Sequence, residues 1–385
     1  MKIFHISDLH IGKQLHYYNL REEQEDMLEK IILAAEAHEP DVMVIAGDIY
    51  DKSAPSAEAY EIFNQFLNRL TRLPKPMPVL LIAGNHDNAS RLSYASEFLE
   101  KSQIYISAKA PGQEEYLKKI TVQDAYGDVN FYLLPFIRPR DVRQLFEEGV
   151  VTSYDTAVAA VLNRETIDDT KRNVLVAHQF FVAGTAEPER CDSEQNYIAV
   201  GGIDSVDICH VQNFDYVALG HIHGAQKMGA EHIRYSGTPL KYSVSEARHQ
   251  KGITMVTLQE KGVPLQIEQL PLTPLHDVRK LEGTLEELLH LDHAPLEDYV
   301  SITLKDEDGL YRPKDQLEER YRRILEVRLD NTRIRHKLAH TMSSEEHLTP
   351  FEAFQAFYQE MNGQPMSEEE ARVIADVIET AKEMV

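Results

Sequence analysis

The sequence is poor in cysteine, lacks tryptophan and contains no long apolar run. Its two cysteines, Cys191 and Cys209, do not form a C-x-x-C motif, so we expect two unpaired thiols in a reducing compartment. No apolar stretch approaches the roughly 20 residues that a membrane-spanning helix needs. The chain reaches Asp8 and His10 before an export signal could form its apolar stretch. We therefore predict a cytoplasmic protein that makes no use of a membrane.

Basic residues are also scarce. The chain has 40 lysines and arginines against 63 acidic residues, and its formal net charge is −23. This balance argues against a broad basic face for duplex DNA, which is held through many phosphates. Bound metal ions can nevertheless invert the sign of one pocket while acidic helices elsewhere carry the surplus. With 385 residues, two or more domains are expected.

The first half of the chain alternates short β-branched runs with amphipathic segments. We predict strands at 2–7, 42–46 and 78–83, with helices at 20–38 and 56–73 between them. This βαβαβ order predicts an open sheet with right-handed crossovers. Later strands come with fewer helices between them, which indicates a second and more antiparallel sheet packed on the first. These later strands are predicted at 130–134, 173–177, 216–219, 232–236, 252–258 and 263–270.

Two prolines, Pro271 and Pro274, mark a domain boundary near residue 272. Residues 1–271 are predicted to form the first domain. Residues 272–338 show a second, smaller βαβαβ pattern and are predicted to form an α+β domain. Within this domain we predict strands at 278–281, 299–305 and 326–335, a helix that opens on a capping box of Thr284 and Glu287, and a helix at 314–325.

A helical tail is predicted at 345–385. Its apolar side chains recur at helical spacing in two segments, which predicts a helical hairpin. A hairpin of this size cannot bury both faces alone, so it either docks on its own domain or binds another chain. The apolar side chains are Phe351, Phe354, Phe357, Tyr358 and Met361, then Val373, Ile374, Val377, Ile378 and Ala381.

Polar motifs follow five of the predicted strands. Ligands bind at the carboxyl ends of strands in open α/β sheets, so all five motifs can meet. Any one alone is more often a turn residue or a buried histidine than a ligand, and the glycines in them could simply serve turns. Five in this order, each after a strand, predict a metal site. The motifs are Asp8-Leu9-His10, Gly47-Asp48-Ile49-Tyr50-Asp51, Gly84-Asn85-His86-Asp87, His178 and Gly220-His221-Ile222-His223.

The donor types restrict which metal can bind. Aspartate, asparagine and imidazole are hard or borderline ligands, and no thiolate accompanies them. This set favours Mn²⁺, Fe or Zn²⁺ over copper or an iron–sulfur cluster. In Asp-x-His and His-x-His, side chains two residues apart project to the same side of an extended backbone, so one metal can collect both.

This series of motifs resembles the signature of calcineurin-like metallophosphoesterases. The resemblance implies an α/β fold, built as a four-layer αββα sandwich, with two metals at its edge. Asp48 would bridge the two metals. One metal would be completed by Asp8, His10 and His223, and the other by Asn85, His178 and His221.

The resemblance also implies a catalytic role for His86, which would stabilise or protonate the leaving oxygen. Asp51 would orient His86, with Asp87 as the weaker candidate for that task. The alternative for His86 is a structural role beside the metal ligands.

The substrate class is narrowed by two stretches. Lys52-Ser53 follows the second motif and Asp87 ends the third, which departs from the pattern of serine/threonine protein phosphatases. The stretch 235–243, followed by Glu246 and Lys251, resembles the SbcD family of nuclease subunits. That resemblance implies a Mn²⁺-dependent DNA nuclease, acting as an exonuclease on double-stranded ends and an endonuclease on hairpins and single strands. The implied setting is DNA end processing in repair, recombination and replication.

The same resemblance implies partners. The chain would join the SbcC ATPase in a heterotetramer with two copies of each, with residues 272–338 as a DNA-binding cap and 345–385 on the SbcC coiled coil. A homodimer would form through helices at 57–69 and 91–100, whose apolar faces could equally pack on their own core. Basic residues near the motifs could meet phosphates or be ordinary solvated charges. They are Lys13, Lys52, Arg91, Arg138, Arg140, Lys241 and Arg248.

Two rival functions remain open at this point. A small-molecule phosphodiesterase of the same superfamily could have the same site, but it would need neither cap nor tail. A scaffold that has lost its metals would bind partners only, and the complete ligand set argues against it.

Overall fold

The computed structural model describes residues 1–194, 204–307 and 310–330 and, in the tail, residues 351, 354–355, 357–359, 364–367 and 370–374. The chain divides into two compact units. One comprises Met1–Leu281, His293–Ile302 and Glu318–Glu326; the other comprises Glu282–Asp292, Thr303–Leu317 and, as far as it is described, the chain from Val327 onward. None of the helices in the described residues is both long enough and apolar enough to cross a membrane.

The strands before residue 272 are β1 (Lys2–Ile6), β2 (Gln14–Leu15), β3 (Tyr18–Asn19), β4 (Val42–Ala46), β5 (Val79–Ile82), β6 (Ile104–Ser107), β7 (Lys118–Asp124), β8 (Gly127–Leu134), β9 (Arg172–His178), β10 (Phe180–Val182), β11 (Ser205–Asp207), β12 (Tyr216–Gly220), β13 (Gln226–Met228), β14 (Ala230–Tyr235), β15 (Gly252–Thr257) and β16 (Gln266–Pro271). The helices are α1 (Arg21–His38), α2 (Ala57–Leu70), α3 (Ala89–Leu92), α4 (Ser96–Leu99), α5 (Pro139–Val142) and α6 (Tyr154–Leu162). Short 3-10 turns lie at Glu100–Ser102, Arg143–Leu145, Ile208–His210 and Val244–Arg248.

Most of these strands form two six-stranded sheets. The first has the order β16-β15-β1-β4-β5-β6 and the second β13-β14-β12-β9-β8-β7. The expectation of a more antiparallel second sheet was wrong, because β14, β12, β9 and β8 all run parallel and only the two edge strands are antiparallel. Its crossovers run through α6, short strands and a 3-10 turn rather than through long helices. The sequence analysis expected antiparallel strands because it found few helices there, and these short crossovers carry no strong helical pattern.

Three apolar layers hold the sheets and helices together. Between the sheets, fully buried side chains such as Val44, Val176 and Tyr216 meet. A second layer packs the first sheet against α1 and α2, and a third packs the second sheet against α6. Central strands such as β4 are buried along their whole length, as expected when both faces of a sheet are covered. The αββα sandwich is confirmed.

The strands after residue 272 are β17 (Val278–Gly283), β18 (Tyr299–Leu304) and β19 (Arg323–Leu329), which pair in that order. Helix α7 (Leu285–Leu289) opens on the predicted capping box, in which Thr284 and Glu287 exchange hydrogen bonds of 2.7 and 3.3 Å. Helix α8 is only Pro313–Glu318, so the helix predicted at 314–325 was too long. The chain from Arg323 instead forms β19. Its apolar side chains become buried when this strand pairs with β18.

The apolar faces offered for a dimer pack largely within their own chain. Phe63, Phe66 and Leu92 are buried in the layer beneath α2 and α3, with Tyr60 and Leu99 packed against it. The helix expected at 91–100 is split into α3 and α4, because Ala95 has a left-handed φ of 59°. Of the apolar side chains predicted for that interface, Phe98 remains well exposed.

Six of the ten apolar side chains predicted for the tail fall within the described part of the chain. Phe354 and Phe357 lie in described helical residues with ring centroids 6.3 Å apart. Glu370 accepts a hydrogen bond from the Ser367 backbone at 2.8 Å, which is the capping contact typical of a helix start. Met361, Val377, Ile378 and Ala381 lie outside the described residues.

Arg172, at the start of β9, is the largest fully buried side chain of the described chain. Its guanidinium forms a bidentate pair with Asp124, at 2.5 and 3.0 Å, and donates to the carbonyls of Gly127 and Gln259. Burial opposes ionisation of Asp124, but the Arg172 guanidinium, the N-terminal ammonium of Met1 and the backbone N–H of Tyr126 together hold the pKa of that carboxyl well below its usual range. The pair therefore ties the start of β9 to the hairpin between β7 and β8.

We expect Asp124→Asn to lower the free energy of unfolding at pH 7 by about 3–5 kcal/mol, because the buried Arg172 guanidinium and the Met1 ammonium lose their counter-charge. Because the folded-state pKa is depressed, this stabilisation exists above the unfolded carboxyl pKa of about 3.9 and is lost as the pH falls further. Urea unfolding at pH 7 and at pH 3 measures it, with the exposed Asp169→Asn as control. A difference between the Asp124 variant and the unsubstituted protein that widens at pH 3 would contradict the assignment.

Candidate metal centre

The five motifs meet at one edge of the sandwich. Each follows a strand that is central in its sheet: β1, β4 and β5 in the first sheet, and β9 and β12 in the second. His178 is the last residue of β9 and His221 directly follows β12. Since the two sheets stack face to face, the carboxyl ends of these strands bring all seven predicted ligands together. The seven are Asp8, His10, Asp48, Asn85, His178, His221 and His223.

One group of ligand atoms comes from Asp8, His10 and His223. Their donor atoms lie within 4.8 Å of one another, and all three residues are buried. Nε2 of His10 is 3.2 Å from Nε2 of His223 and 3.8 Å from a carboxylate oxygen of Asp48. Two imidazole nitrogens at this distance either share one N–H···N hydrogen bond or direct both lone pairs at one cation, so the spacing is compatible with a shared metal ligand role.

A second group surrounds Asn85. The side-chain oxygen of Asn85 is 3.0 Å from Nε2 of His178 and 2.9 Å from Nδ1 of His221. Nε2 of His178 is also 3.3 Å from Asp48. Nδ1 of His178 donates to the carbonyl of Ala46 at 2.7 Å, which leaves Nε2 to face the ligands. Asp48 thus lies between the two groups, where a bridging carboxylate would have to lie.

Four of the seven residues have a backbone conformation that ordinary side chains rarely adopt. The φ angles are 54° at Asp8, 43° at His10, 51° at Asp48 and 98° at His221. The assumption of an extended backbone in Asp-x-His and His-x-His was therefore wrong, because these loops turn sharply as soon as their strands end. Left-handed residues of this kind carry strain of the order of 1–3 kcal/mol each and cluster at functional sites.

Three motif glycines are required by space. A Cβ on Gly47 would overlap the imidazole of His178. A Cβ on Gly84 would overlap the carboxylate of Asp48, and a Cβ on Gly220 would overlap the carbonyl oxygen of Ala46. A role in turns alone therefore does not explain these glycines. They allow neighbouring motif loops to approach more closely than any side chain would permit.

His86 lies beside this centre. Its Nδ1 is 2.7 Å from the backbone carbonyl of Asp51, so Nδ1 donates there and Nε2 faces Asp48 at 3.9 Å. The carboxylate of Asp51 instead pairs with Lys13 at 2.8 Å. Asp87 accepts the backbone N–H groups of Ile49, Tyr50 and Gly84, and therefore clamps the second motif loop to the third. The contact of Asp51 with His86 is thus made by the main chain.

Burial and charge oppose each other in the centre. Burial lowers the pKa of His10 well below its usual value and that of His221 to about 3, so both offer lone pairs at neutral pH. Burial alone would lower the pKa of His178 too, but Asp48 raises it to about 9. Likewise burial opposes ionisation of Asp48, yet the histidines hold its pKa well below the usual range. Divalent cations would satisfy the carboxylates and the imidazole lone pairs together, so the donor set fits divalent ions.

The sequence analysis missed a buried network behind His223. Ser193 has one hydroxyl proton, which it donates to the carboxylate of Glu246 at 2.8 Å. It must therefore accept from Nδ1–H of His223, also at 2.8 Å, which leaves the Nε2 lone pair for a metal. Lys251 donates to the other oxygen of Glu246 at 2.6 Å. Glu246 and Lys251 had stood out only as part of a family-like stretch, and Ser193 carried no sequence signal.

We expect Ser193→Ala to weaken metal binding about 10- to 100-fold, because the orientation and tautomer of His223 would no longer be held. A Mn²⁺ titration followed by electron paramagnetic resonance measures this. Ser245→Ala is the matched control, since Ser245 bonds to Asp192 and Ser243 but not to a predicted ligand. If Ser193→Ala lowers the melting temperature without changing Mn²⁺ affinity, the serine is only structural.

The basic residues proposed for phosphate contact divide into three groups. Lys13 is engaged by Asp51, and Lys241 is largely buried and paired with Asp277 at 2.7 Å. Arg138 stays close to the centre, with its guanidinium 5.1 Å from the ring centroid of Phe136. The remaining four are exposed: Lys52, Arg91, Arg140 and Arg248.

Comparison with known proteins relates these features to characterised families. A family model described as calcineurin-like phosphoesterase matches residues 1–225, and one described as type 5 capsule protein repressor C-terminal domain matches residues 274–362. The SbcD subunit of the SbcCD nuclease from Staphylococcus saprophyticus is 30% identical to this chain over 382 residues, which cover 98% of each protein. The SbcD subunit from Staphylococcus epidermidis is 30% identical over 329 residues, which cover 84% of each protein. A dimetal phosphatase structure from Danio rerio aligns with a TM-score of 0.41 at 12% identity, covering 70% of this chain and 99% of the other. The first family match spans all five motifs.

Proposed function

Because this chain belongs to the calcineurin-like phosphoesterases and, among them, to the family of SbcD subunits of SbcCD nucleases, we propose that it cuts DNA by metal-dependent phosphodiester hydrolysis. It acts as an exonuclease on double-stranded ends and as an endonuclease on hairpins and single strands, in DNA end processing, repair and recombination. The observation that supports this proposal most is the convergence of seven carboxylate, amide and imidazole side chains from five loops at one sheet edge.

We assign these side chains to two divalent ions, with Mn²⁺ as the proposed metal. Asp48 would be the ligand shared by both, because its carboxylate lies near His10 on one side and His178 on the other. Two such ions, when bound, would lower the pKa of a water for attack on phosphorus and would neutralise charge on the phosphate oxygens. The positive charge of two divalent ions also exceeds the negative charge of the two carboxylates in the centre. The pocket would therefore attract an anionic phosphodiester although the chain as a whole is acidic.

His86 acts on the leaving oxygen in this proposal. The carbonyl of Asp51 holds Nδ1–H, so the opposite nitrogen is the one directed at the centre. When Nε2 carries a proton, it can donate that proton to the departing oxygen. Asp51 acts as a positioning residue through its main chain, while its carboxylate holds Lys13 near the centre.

The remaining proposals concern partners. We propose a heterotetramer with two copies of this chain and two of the SbcC ATPase, in which residues 345–385 bind the SbcC coiled coil. Phe357, which is more than half exposed, is a described apolar side chain suited to such helix packing. Residues 272–338 would contact DNA. Because the sequence places few basic residues near the motifs, the ATPase would supply much of the affinity for DNA.

The test compares substrates. The purified chain is assayed with Mn²⁺ on end-labelled duplex DNA and on small phosphodiesters, with and without SbcC. We expect DNA cleavage that strengthens with the partner and disappears with a chelator. Faster turnover of a small phosphodiester, with DNA untouched even beside SbcC, would instead establish the small-molecule phosphodiesterase.

A further inference from the structure

A glutamine interrupts the buried face of α1. Most other residues of that face are apolar, among them Met27, Leu28 and Ile31. Gln24 is fully buried beside them. An amide without hydrogen bonds would be strongly destabilising in such surroundings, so buried amides are almost always hydrogen-bonded. The partners of this amide therefore show why a polar residue lies there.

Both ends of the Gln24 amide bind the first motif loop. Its Nε2 donates to the carbonyl of His10 at 2.8 Å, and its Oε1 accepts from the backbone N–H of Gly12 at 3.0 Å. A side-chain amide carries a donor and an acceptor on one carbon, so it can bind a carbonyl and an N–H of the same loop together. An apolar side chain of the same length would make neither contact.

Tyr242 contacts the same loop beside Gln24. Its hydroxyl donates to the carbonyl of Leu9, and Nε2 of Gln24 lies 3.4 Å from that hydroxyl. The Tyr242 ring meets the His10 imidazole edge-on at a centroid distance of 5.6 Å. The carbonyls of two consecutive loop residues thus receive hydrogen bonds from side chains that come from distant parts of the chain.

The other side of the loop is held by the second motif. The backbone N–H groups of Asp8, His10 and Ile11 donate to carbonyls of that motif, at 3.0, 3.0 and 2.9 Å. His10 has a left-handed φ of 43°, a conformation that persists only where the surroundings fix it. Gln24 and Tyr242 fix the carbonyl side of the loop, which the second motif does not reach.

Resting on the two-metal assignment of the proposed nuclease, we propose that Gln24 is a positioning residue for the ion assigned to Asp8, His10 and His223. It holds the backbone of His10 so that Nε2 of His10 stays near Nε2 of His223, at 3.2 Å. Within the described residues, the side-chain hydrogen bonds of Gln24 go to the first motif loop and to Tyr242. The group of ligands around Asn85 therefore does not depend on Gln24.

The test is a Mn²⁺ titration of the metal-free full chain, followed by electron paramagnetic resonance. Gln24→Met keeps the length and the packing of the side chain but removes both hydrogen bonds to the loop. We expect one of the two binding steps to weaken about 10- to 100-fold, as when other groups that orient a ligand are removed, while the other step is retained. The signal of an isolated ion then replaces that of the spin-coupled pair at Mn²⁺ concentrations that fill both sites of the unsubstituted chain.

Two further variants identify the step that is lost. His10→Asn, which removes the ligand itself, weakens the same step as Gln24→Met. Tyr242→Phe keeps the ring beside His10 and removes only the hydroxyl that donates to the carbonyl of Leu9. It produces a smaller loss at that step, because one hydrogen bond to the loop disappears instead of two.

Glu23→Met is the matched control. Glu23 precedes Gln24 in α1 and is also buried, but it accepts from Nδ1 of His276 at 2.7 Å and from the Tyr299 hydroxyl at 3.1 Å. Its replacement should lower the melting temperature and leave both Mn²⁺ steps unchanged.

Two results overturn the proposal. Either both Mn²⁺ steps are unchanged in Gln24→Met, or both weaken equally together with the melting temperature, which shows a structural role only. An unsubstituted chain that binds fewer than two Mn²⁺ ions overturns it as well. Failure of the nuclease proposal shows separately, as DNA left uncut by an unsubstituted chain that binds both ions.

Discussion

Replacing Asp48 with alanine is expected to remove both metal ions and to lower DNA cleavage at least about 1,000-fold. The carboxylate of Asp48 lies 3.8 Å from Nε2 of His10 and 3.3 Å from Nε2 of His178, so it faces both groups of ligands. No other predicted ligand belongs to both groups in our assignment. Metal ions contribute several kcal/mol of transition-state stabilisation, and each 1.36 kcal/mol corresponds to a factor of ten in rate.

Metal content and rate are measured together. Inductively coupled plasma mass spectrometry gives Mn²⁺ per chain after dialysis, and end-labelled DNA gives the rate. Asp128→Ala is the control, because Asp128 forms a surface pair with Lys171 at 2.8 Å and is not a predicted ligand. Circular dichroism verifies the fold of each variant. Two ions bound with unchanged affinity in the Asp48 variant would disprove the bridging assignment.

Replacing His86 with glutamine is expected to leave metal content and fold intact while lowering cleavage about 100- to 10,000-fold, the usual contribution of a positioned acid. Glutamine can still donate a hydrogen bond toward the carbonyl of Asp51, where Nδ1 of His86 now donates at 2.7 Å. It cannot transfer a proton to the leaving oxygen. The loss should therefore appear in kcat rather than in metal affinity.

A leaving-group comparison separates catalysis from structure. The p-nitrophenolate expelled from a p-nitrophenyl ester is a weak base and can leave without being protonated. We therefore expect the His86 variant to retain more of its activity on that ester than on DNA. His210→Gln is the control, since His210 pairs with Asp155 at 2.9 Å on the surface. Equal losses on both substrates would show that His86 only supports the ligands, which is the structural alternative.

Much of the fold was predictable because its signals are local. Strands such as β4 and β9 are continuous apolar runs of the kind that a sheet covered on both faces requires, and their limits agree with prediction to within one or two residues. The capping box of Thr284 and Glu287 is predictable because it needs only a threonine followed three residues later by a glutamate. The helix predicted at 314–325 failed because sheet pairing from Arg323 onward overrode a helical pattern.

The candidate site divides in the same way. All seven predicted ligands stand in motifs at strand ends, and a general rule for α/β sheets was enough to bring them together. Ser193 could not be predicted, because its role depends on lying between His223 and Glu246, which are far from it in sequence. Phe136 was likewise invisible, since nothing in its own stretch indicates that it will face His221.

The sequence by itself determined the strand and helix alternation, the donor types at the strand ends and the family to which those motifs point. These are properties of short segments, where hydrophobic period and residue chemistry act within a few positions. Only the tertiary structure decided the left-handed turns at Asp8, His10 and Asp48, the tautomer of His223 and the stacking of Phe136 beside His221. Each of these depends on contacts between segments far apart in the chain, which stacking of the two sheets creates.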